Sequence, residues 1–254
     1  MTLRETFETL RRRHELAFIP YQTAGFPTLD ASLKNLGLLA EHGADLLELG
    51  IPFSDPIADG PTIQYSSQVA LENGVRLKDV LAALGQLELP CPLVMMSYLN
   101  PLMAYGQERL FADLEAAHVC GLIVPDLALE EADEWLAAAH RHGVSIVFLV
   151  APTSTDERIA RTAELTDGFL YAVSLTGTTG VRKALPAGLP KFLNRIRAVT
   201  DQPIVVGFGI STPEHVRALR GHADGVVVAS RIIDAIRREE AWTGLVESLK
   251  AATE

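Results

Sequence analysis

Three acidic residues, Glu48, Asp55 and Asp59, lie within the short stretch LELGIPFSDPIADGPTIQ, residues 47–64. Glu48 alternates with leucines in a run typical of a buried β-strand, and the two aspartates follow in a loop stiffened by prolines. Strand periodicity places Glu48 on the face opposite its apolar neighbours, which points it into the predicted fold. An unpaired buried carboxylate acquires a raised pKa, and this suits a general acid or base that works near neutrality.

A structural role is the alternative for each of these carboxylates. Glu48 could pair with a buried Arg or Lys, but neither residue type occurs within the predicted strands, so we favour catalysis. Asp59 precedes Gly60-Pro61, where it could equally be a turn former or a helix cap. For Asp55 taken alone, the turn role is the preferred interpretation.

Eight apolar runs predict the strands that must position these acids. The runs cover residues 16–24, 44–52, 92–99, 121–126, 145–151, 168–174, 203–209 and 224–230, and amphipathic stretches typical of helices alternate with them. Eight parallel strands with right-handed crossovers close most simply into a (β/α)8 TIM barrel, here with an extra N-terminal helix. An open doubly wound sheet is the alternative, but QTAGFPT after the first run lacks the Gly-rich fingerprint of that fold.

The length of the chain agrees with this α/β fold, and its net charge narrows the kinds of partner. The chain has 254 residues, which predicts a single barrel domain over residues 1–254. Its net charge of −10 argues against nucleic acid or an anionic membrane as a partner. No apolar run approaches a membrane span and the first residues are charged, so a cytoplasmic protein is expected. Cys91 and Cys120, which lie just before predicted strands, are expected to be reduced core thiols.

The loops after the last two predicted strands carry a candidate phosphate site. Barrels often bind phosphate there, together with the start of a short extra helix. Gly209 in GFGIST, and Ala229 and Ser230 in VASRI, could bind phosphate through backbone N–H groups, although ordinary strand ends would look similar. The long loop of residues 174–186, SLTGTTGVRKALP, predicts a lid that brings Thr179 or Gly180 to a substrate.

Two residue types are absent from the predicted strand ends, namely lysine and histidine. A Schiff-base aldolase needs such a lysine, and a His-ligated zinc aldolase needs such histidines. Histidines are instead expected at helix C-termini, as at His42 and His142, or on the surface, as at His215. What remains is carboxylate acid–base chemistry on a phosphorylated substrate. If a carbon–carbon bond is cleaved, the substrate must supply its own electron sink.

The chain resembles the tryptophan synthase alpha subunit family from about Ala17 to Arg231. The matching motifs, in family order, are IPYQTAGFPT, LELGIPFSDPIADGPTIQ, SYLNPL, IVPDL, APTST, YAVSLTGTTG and VGFGIST. The resemblance implies a carbon–carbon lyase of tryptophan biosynthesis that cleaves indole-3-glycerol phosphate to indole and glyceraldehyde 3-phosphate. Indole would be the electron sink, which accounts for the missing lysine.

The resemblance also implies roles for individual residues. Glu48 would move protons at indole C3 and at the glycerol hydroxyl, and Asp59 would accept the indole N–H. The other positions implied are supporting residues Tyr171 and Thr179, phosphate-binding residues Gly180, Gly209, Ala229 and Ser230, and indole-pocket residues Tyr21, Met96, Ile123 and Phe208. Ala229 departs from the Gly of many members, which is harmless only if its φ is negative. Phe26 replaces an acid of some members, so no acidic role carries over to it.

A partner follows from the same resemblance, namely the pyridoxal-phosphate-dependent beta subunit in an alpha–beta–beta–alpha heterotetramer. The candidate interface residues are Asp55, Pro56, Asn100, Pro101 and Asp126. No cofactor is expected in this chain, because it has no strand-end lysine to hold pyridoxal phosphate. Three alternatives stay open: a stand-alone lyase, a non-catalytic phosphate-binding regulatory barrel, and a metal-dependent enzyme. In the last, Glu48, Asp55, Asp59 and Asp126 would be oxygen ligands.

Overall fold

The computed structural model describes residues 2–174 and 185–254, and within these ranges nine parallel strands form one sheet. The strands are Ala17–Thr23 (β1), Leu47–Gly50 (β2), Leu93–Met96 (β3), Val119–Ile123 (β4), Ser145–Val147 (β5), Leu149–Val150 (β6), Leu170–Val173 (β7), Ile204–Gly207 (β8) and Gly225–Val228 (β9). Their spatial order is β5-β4-β3-β2-β1-β9-β8-β7-β6. The two outer strands, β5 and β6, are separated in the chain only by Phe148, so the sheet curls into a nearly closed barrel.

Helices follow the strands and cover the outside of the barrel. In the described ranges they are Leu3–Arg13 (α1), Leu29–Glu41 (α2), Pro61–Glu72 (α3), Leu77–Leu84 (α4), Leu99–Tyr105 (α5), Gln107–Ala116 (α6), Asp133–Arg141 (α7), Asp156–Leu165 (α8), Leu189–Arg197 (α9), Pro213–Arg217 (α10), Ser230–Arg237 (α11) and Thr243–Ala251 (α12), with a 3-10 turn at Leu129–Glu131. Thr2 begins α1 with a capping box to Glu5, because its hydroxyl accepts the Glu5 N–H while the Glu5 carboxylate accepts the Thr2 N–H. Within this part of the chain, none of the helices has the length and apolar character that crossing a membrane requires.

The predicted TIM barrel is confirmed, as are the N-terminal helix α1 and the short helix α11 after the last strand. Two details of the prediction were wrong. The fifth predicted strand is divided into β5 and β6, and Cys120 lies inside β4 rather than before it. The pairing of β4 with β3 skips Cys120, since Leu93 is opposite Val119 and Val94 is opposite Gly121. This extra residue turns its thiol to the Leu93 carbonyl, 3.2 Å away, and burial raises the pKa of the thiol to about 11.

The N-terminal face of the barrel is closed by α1 and by an ion-pair cluster. Phe7 of α1 packs against Phe169, with ring centroids 5.5 Å apart. Asp224, just before β9, accepts hydrogen bonds from Arg11, from Arg197 and from the Ile204 N–H. Burial alone would raise the pKa of Asp224, but these three donors hold it below its usual value. The opposite face, at the carboxyl ends of the strands, is open and carries the candidate active site.

Candidate active site

An open cavity lies at the carboxyl ends of the strands. Its wall contains every described residue that the resemblance assigned to catalysis or substrate binding, namely Tyr21, Glu48, Asp59, Met96, Ile123, Tyr171, Phe208, Gly209, Ala229 and Ser230. Thr179 and Gly180 lie outside the described residues. The wall also contains Ile63, Pro125, Leu149, Ile210, Ser211 and Val227, which sequence reasoning missed. Most of these are apolar residues that resemble core positions, so no signal in the sequence separates them from the core.

Glu48 lies on the short strand β2, between Tyr21 of β1 and Val94 of β3. Its side chain points into the cavity, as strand periodicity predicted, and the residue is 4% exposed. Among the described residues, its Oε2 has no hydrogen-bond partner. Burial, with a further contribution from the negative charge of Asp59, raises the pKa of Glu48 to about 8. At neutral pH, Glu48 is therefore mainly protonated and can give a proton to a bound molecule.

Asp59 lies at the end of the loop after β2 and is 8% exposed. It is not a helix cap, because the residue that caps α3 is Gly60. Its carboxylate instead accepts a hydrogen bond from the hydroxyl of Tyr98, which itself accepts the Ala58 N–H at 3.0 Å. Burial raises the pKa of Asp59 to about 6, and the Tyr98 hydrogen bond limits the rise. Asp59 is therefore mainly ionised at neutral pH, beside a protonated Glu48.

Tyr98 is a residue that sequence reasoning missed. It is 1% exposed and directly precedes α5, and its ring packs against Phe53 with centroids 5.3 Å apart. The available signal was its place in the motif SYLNPL, at the end of a predicted strand, where polar side chains reach the site of a barrel. Its hydroxyl ties the loop that carries Asp59 to the end of the neighbouring strand.

Two tyrosines that line the cavity with the carboxylates lie across glycines of neighbouring strands. A Cβ on Gly50 would lie 1.8 Å from the hydroxyl oxygen of Tyr21, and a Cβ on Gly207 would lie 2.1 Å from that of Tyr171. Each ring therefore fits only because the residue on the adjacent strand is a glycine, which has no side chain. Burial raises the pKa of both tyrosines well above its usual value. The charge of Asp59 adds to the rise at Tyr21 and the charge of Glu48 to that at Tyr171. Both hydroxyls stay protonated and can donate.

The candidate phosphate end of the cavity is built from backbone. Gly209, with φ +78°, follows β8, and Ala229 and Ser230 stand where α11 begins. Ala229 has a negative φ of −111°, so its methyl group avoids the strain of a left-handed conformation. Among the described residues that line the cavity there is no Lys or Arg, so the available donors are N–H groups and hydroxyls. Such donors at a helix N-terminus suit an anion.

His215 was expected on the surface, and that expectation was wrong. It is 5% exposed, and its Nδ1 lies 3.4 Å from the Oγ of Ser211, which lines the cavity. The helix pattern was too short to show which face of α10 is buried, since this helix has five residues.

The interface candidates lie together on the rim of the same face. Asp55, Asn100 and Asp126 are exposed, and Pro56 and Pro101 are half-buried. Two further side chains on this rim are apolar, with Ile57 78% exposed and Met103 63% exposed. Asp126 accepts the Leu99 N–H at 2.8 Å, which ties the loop after β4 to the start of α5. Within residues 2–174 and 185–254, no three His, Cys, Asp or Glu residues form a group that could hold a metal ion.

Comparisons with known proteins give one consistent result. A model of the family described as tryptophan synthase alpha chain matches residues 7–253. The tryptophan synthase alpha chain of Roseiflexus castenholzii is 49% identical over 237 residues, covering 92% of this chain and 91% of that protein. A solved structure of Mycobacterium tuberculosis tryptophan synthase superposes with a TM-score of 0.93 at 39% identity, covering 99% of this chain and 97% of that one. The tryptophan synthase subunit alpha of Legionella pneumophila superposes with a TM-score of 0.89 at 33% identity, covering 100% and 98% of the two chains.

Proposed function

Because the chain belongs to the tryptophan synthase alpha chain family, whose alpha reaction is the lyase cleavage of indole-3-glycerol phosphate, we propose that Glu48 and Asp59 perform this cleavage in the cavity at the strand ends. The chain is a carbon–carbon lyase of tryptophan biosynthesis. One observation carries the assignment of residues. Two buried carboxylates line one cavity, and at neutral pH one is mainly protonated while the other is mainly ionised.

The two protonation states fit the two tasks of a retro-aldol cleavage. The acid form of Glu48 gives its proton to C3 of the indole ring, and the ring becomes a cationic indolenine. The Asp59 carboxylate accepts the ring N–H and stabilises that cation. The Glu48 carboxylate then takes the proton of the glycerol hydroxyl while the bond between C3 and the glycerol carbon breaks. Its electron pair returns to the ring, which leaves indole and an aldehyde, glyceraldehyde 3-phosphate.

The rest of the cavity would hold the two ends of the substrate. The apolar side chains of Met96, Ile123 and Phe208, with the ring of Tyr21, line the cavity with the carboxylates and would contact the indole ring. The N–H groups of Gly209, Ala229 and Ser230 would bind the phosphate, and Ser230 adds its hydroxyl. Tyr171 lines the same cavity as Glu48 and would support its ionised form by donating a hydrogen bond. Roles for Thr179 and Gly180 stay predictions from the resemblance.

The partner we propose is a tryptophan synthase beta subunit, bound at the rim formed by Asp55, Pro56, Asn100, Pro101 and Asp126. The exposed side chains of Ile57 and Met103 on the same rim support this surface, since large exposed apolar side chains typically mark interfaces. Pyridoxal phosphate would belong to that partner, because no lysine lines the described part of the cavity. An alpha–beta–beta–alpha assembly and a cytoplasmic location stay predictions.

Indole release from indole-3-glycerol phosphate tests the proposed function. We expect release by the wild type with a beta subunit present, and a loss of at least about 10³-fold in kcat for Glu48→Gln. The control is Glu134→Gln, which makes the same change at an exposed position on α7 and leaves the rate unchanged. A wild type that releases no indole would overturn the proposal, and an active Glu48→Gln would remove Glu48 from the chemistry. Turnover without the beta subunit separates the subunit from a stand-alone lyase.

A further inference from the structure

Two consecutive residues after β8 adopt left-handed backbone conformations. Phe208 has φ +72° and Gly209 has φ +78°. Glycine adopts this conformation freely, whereas phenylalanine, which has a Cβ, adopts it only under strain. Both residues line the cavity. The surrounding structure must therefore hold Phe208 in this conformation.

Ser174, the residue directly after β7, makes two hydrogen bonds to this turn. Its N–H donates to the Gly207 carbonyl at 3.2 Å, and its hydroxyl donates to the Phe208 carbonyl at 2.5 Å. Ser174 is 3% exposed, so these bonds do not compete with solvent. The mechanism described above gives this side chain no role.

The hydroxyl bond fixes the orientation of one particular peptide group. The Phe208 carbonyl and the Gly209 N–H belong to the same planar peptide, and in a trans peptide they point in opposite directions. Because the carbonyl is held toward Ser174, the N–H is directed away from Ser174. The same bond fixes the Phe208 backbone and with it the ring, which meets Tyr171 edge-on with centroids 6.1 Å apart.

We infer that Ser174 is a positioning residue that orients the Gly209 N–H for the substrate phosphate and the Phe208 ring for the indole. It acts through the Phe208 carbonyl and does not touch the substrate. The inference rests on the proposed function, in which Gly209 binds phosphate. In this inference, Ser174 at the end of the neighbouring strand β7 holds the loop between β8 and α10 in place.

Titration with inorganic phosphate tests the inference without catalysis. We expect Ser174→Ala to bind phosphate about tenfold more weakly than the wild type, as the loss of one hydrogen bond implies. The KM for indole-3-glycerol phosphate should rise by a similar factor, while kcat changes less than about threefold. The control is Thr166→Val, which removes a buried hydroxyl bond to the Thr162 carbonyl at 2.8 Å and leaves phosphate affinity unchanged.

A second pair of variants covers the case in which Ser174→Ala fails to fold. Ser174→Thr and Ser174→Val have nearly the same shape and differ in the hydroxyl, so the threonine variant should bind phosphate about tenfold more tightly. Equal phosphate affinity in the two, or wild-type affinity in Ser174→Ala, would overturn the inference. If the wild type releases indole while Ser174→Ala keeps its phosphate affinity, the inference fails and the proposed function stands. If the wild type releases no indole, the proposed function itself fails, whatever the phosphate affinities of the variants are.

Discussion

At the scale of single residues, Glu48 and Asp59 share one cavity but differ in ionisation because their surroundings differ. The Oε2 of Glu48 has no partner among the described residues, whereas Asp59 accepts a hydrogen bond from Tyr98. A hydrogen bond to the charged form lowers the pKa of a carboxyl group, and desolvation raises it. The pKa of Glu48 therefore reaches about 8, while that of Asp59 stops at about 6.

Tyr98→Phe should raise the pKa of Asp59 further, because burial then acts without the opposing hydrogen bond. A bond to a charged group is worth about 1.5–3 kcal/mol, which corresponds to a rise of about one to two pH units. We expect the acidic limb of the kcat/KM profile to move to higher pH by that amount. The matched control is Tyr105→Phe, which removes a tyrosine–aspartate bond to Asp113 on the helical surface and should leave the profile in place. An unshifted limb in Tyr98→Phe would contradict the role given to its hydroxyl.

Glu48→Gln should change the pH dependence of stability. The pKa of Glu48 is about 8 in the folded protein against an ordinary value of 4.5, so the folded state holds an extra proton between these values. Wild-type stability therefore falls as pH rises from about 4.5 to 8. The glutamine variant escapes this loss, which amounts to at most about 5 kcal/mol. Urea unfolding at pH 5 and pH 8.5 measures the free energy of unfolding of both proteins. If the difference between wild type and variant is the same at the two pH values, the assignment is contradicted.

At the scale of elements, neighbouring strands shape the cavity together. The ring of Tyr171 on β7 occupies the space left by Gly207 on β8, and the ring of Tyr21 on β1 does the same over Gly50 on β2. Gly207→Ala should push the Tyr171 ring into the cavity, lower kcat/KM at least about tenfold and destabilise the fold by about 1–3 kcal/mol. Kinetics and thermal unfolding check both effects.

Gly37→Ala provides the control for that prediction. A Cβ on Gly37, within α2, meets nothing within 4 Å, so the change should leave activity intact and stabilise the helix by about 0.5–1 kcal/mol. Equal kinetic losses at Gly37 and Gly207 would show that the effect is not specific to the tyrosine.

The sequence predicted the elements better than their registers. Alternating residues in LELGIP placed Glu48 inside the barrel, because that pattern is local to one strand. The break at Phe148 and the skipped Cys120 depend on which residue of the neighbouring strand is opposite, and a single run does not contain this information. The same holds for Tyr98, whose role follows from its distance to a loop some forty residues earlier in the chain.

At the scale of the whole molecule, the two faces of the barrel have different functions. The N-terminal face is closed by α1 and the Asp224 ion pairs, and the opposite face carries the cavity, the acidic loop and the exposed side chains of Ile57 and Met103. Sequence alone indicated this division, since the barrel fold assigns chemistry to the loops after the strands. The exposure of Ile57 and Met103 was not predictable, because an apolar residue in a loop or helix can equally face the core.

Ile57→Asp should weaken association with a beta subunit at least about tenfold, since it places a charge on the proposed interface. Calorimetric titration of the beta subunit measures the affinity, and turnover of indole-3-glycerol phosphate without the partner should stay within about twofold of wild type. The matched control is Val199→Asp, which alters another exposed apolar residue, between α9 and β8 on the N-terminal face. Wild-type affinity in Ile57→Asp would exclude this rim from the contact.

The proposed phosphate end, which would bind its ligand through backbone N–H groups, has a consequence for how such a site is inherited. Ala229 shows it directly, because with φ −111° a side chain can be exchanged there while the N–H remains. Mutational drift can therefore alter many side chains at this end of the barrel without erasing anion recognition. The vulnerable positions are those that set the path of the chain, such as Gly209 and the residues that hold its peptide group. The fold itself thus retains the backbone donors that would bind phosphate, whereas each of the two carboxylates depends on the identity of one side chain.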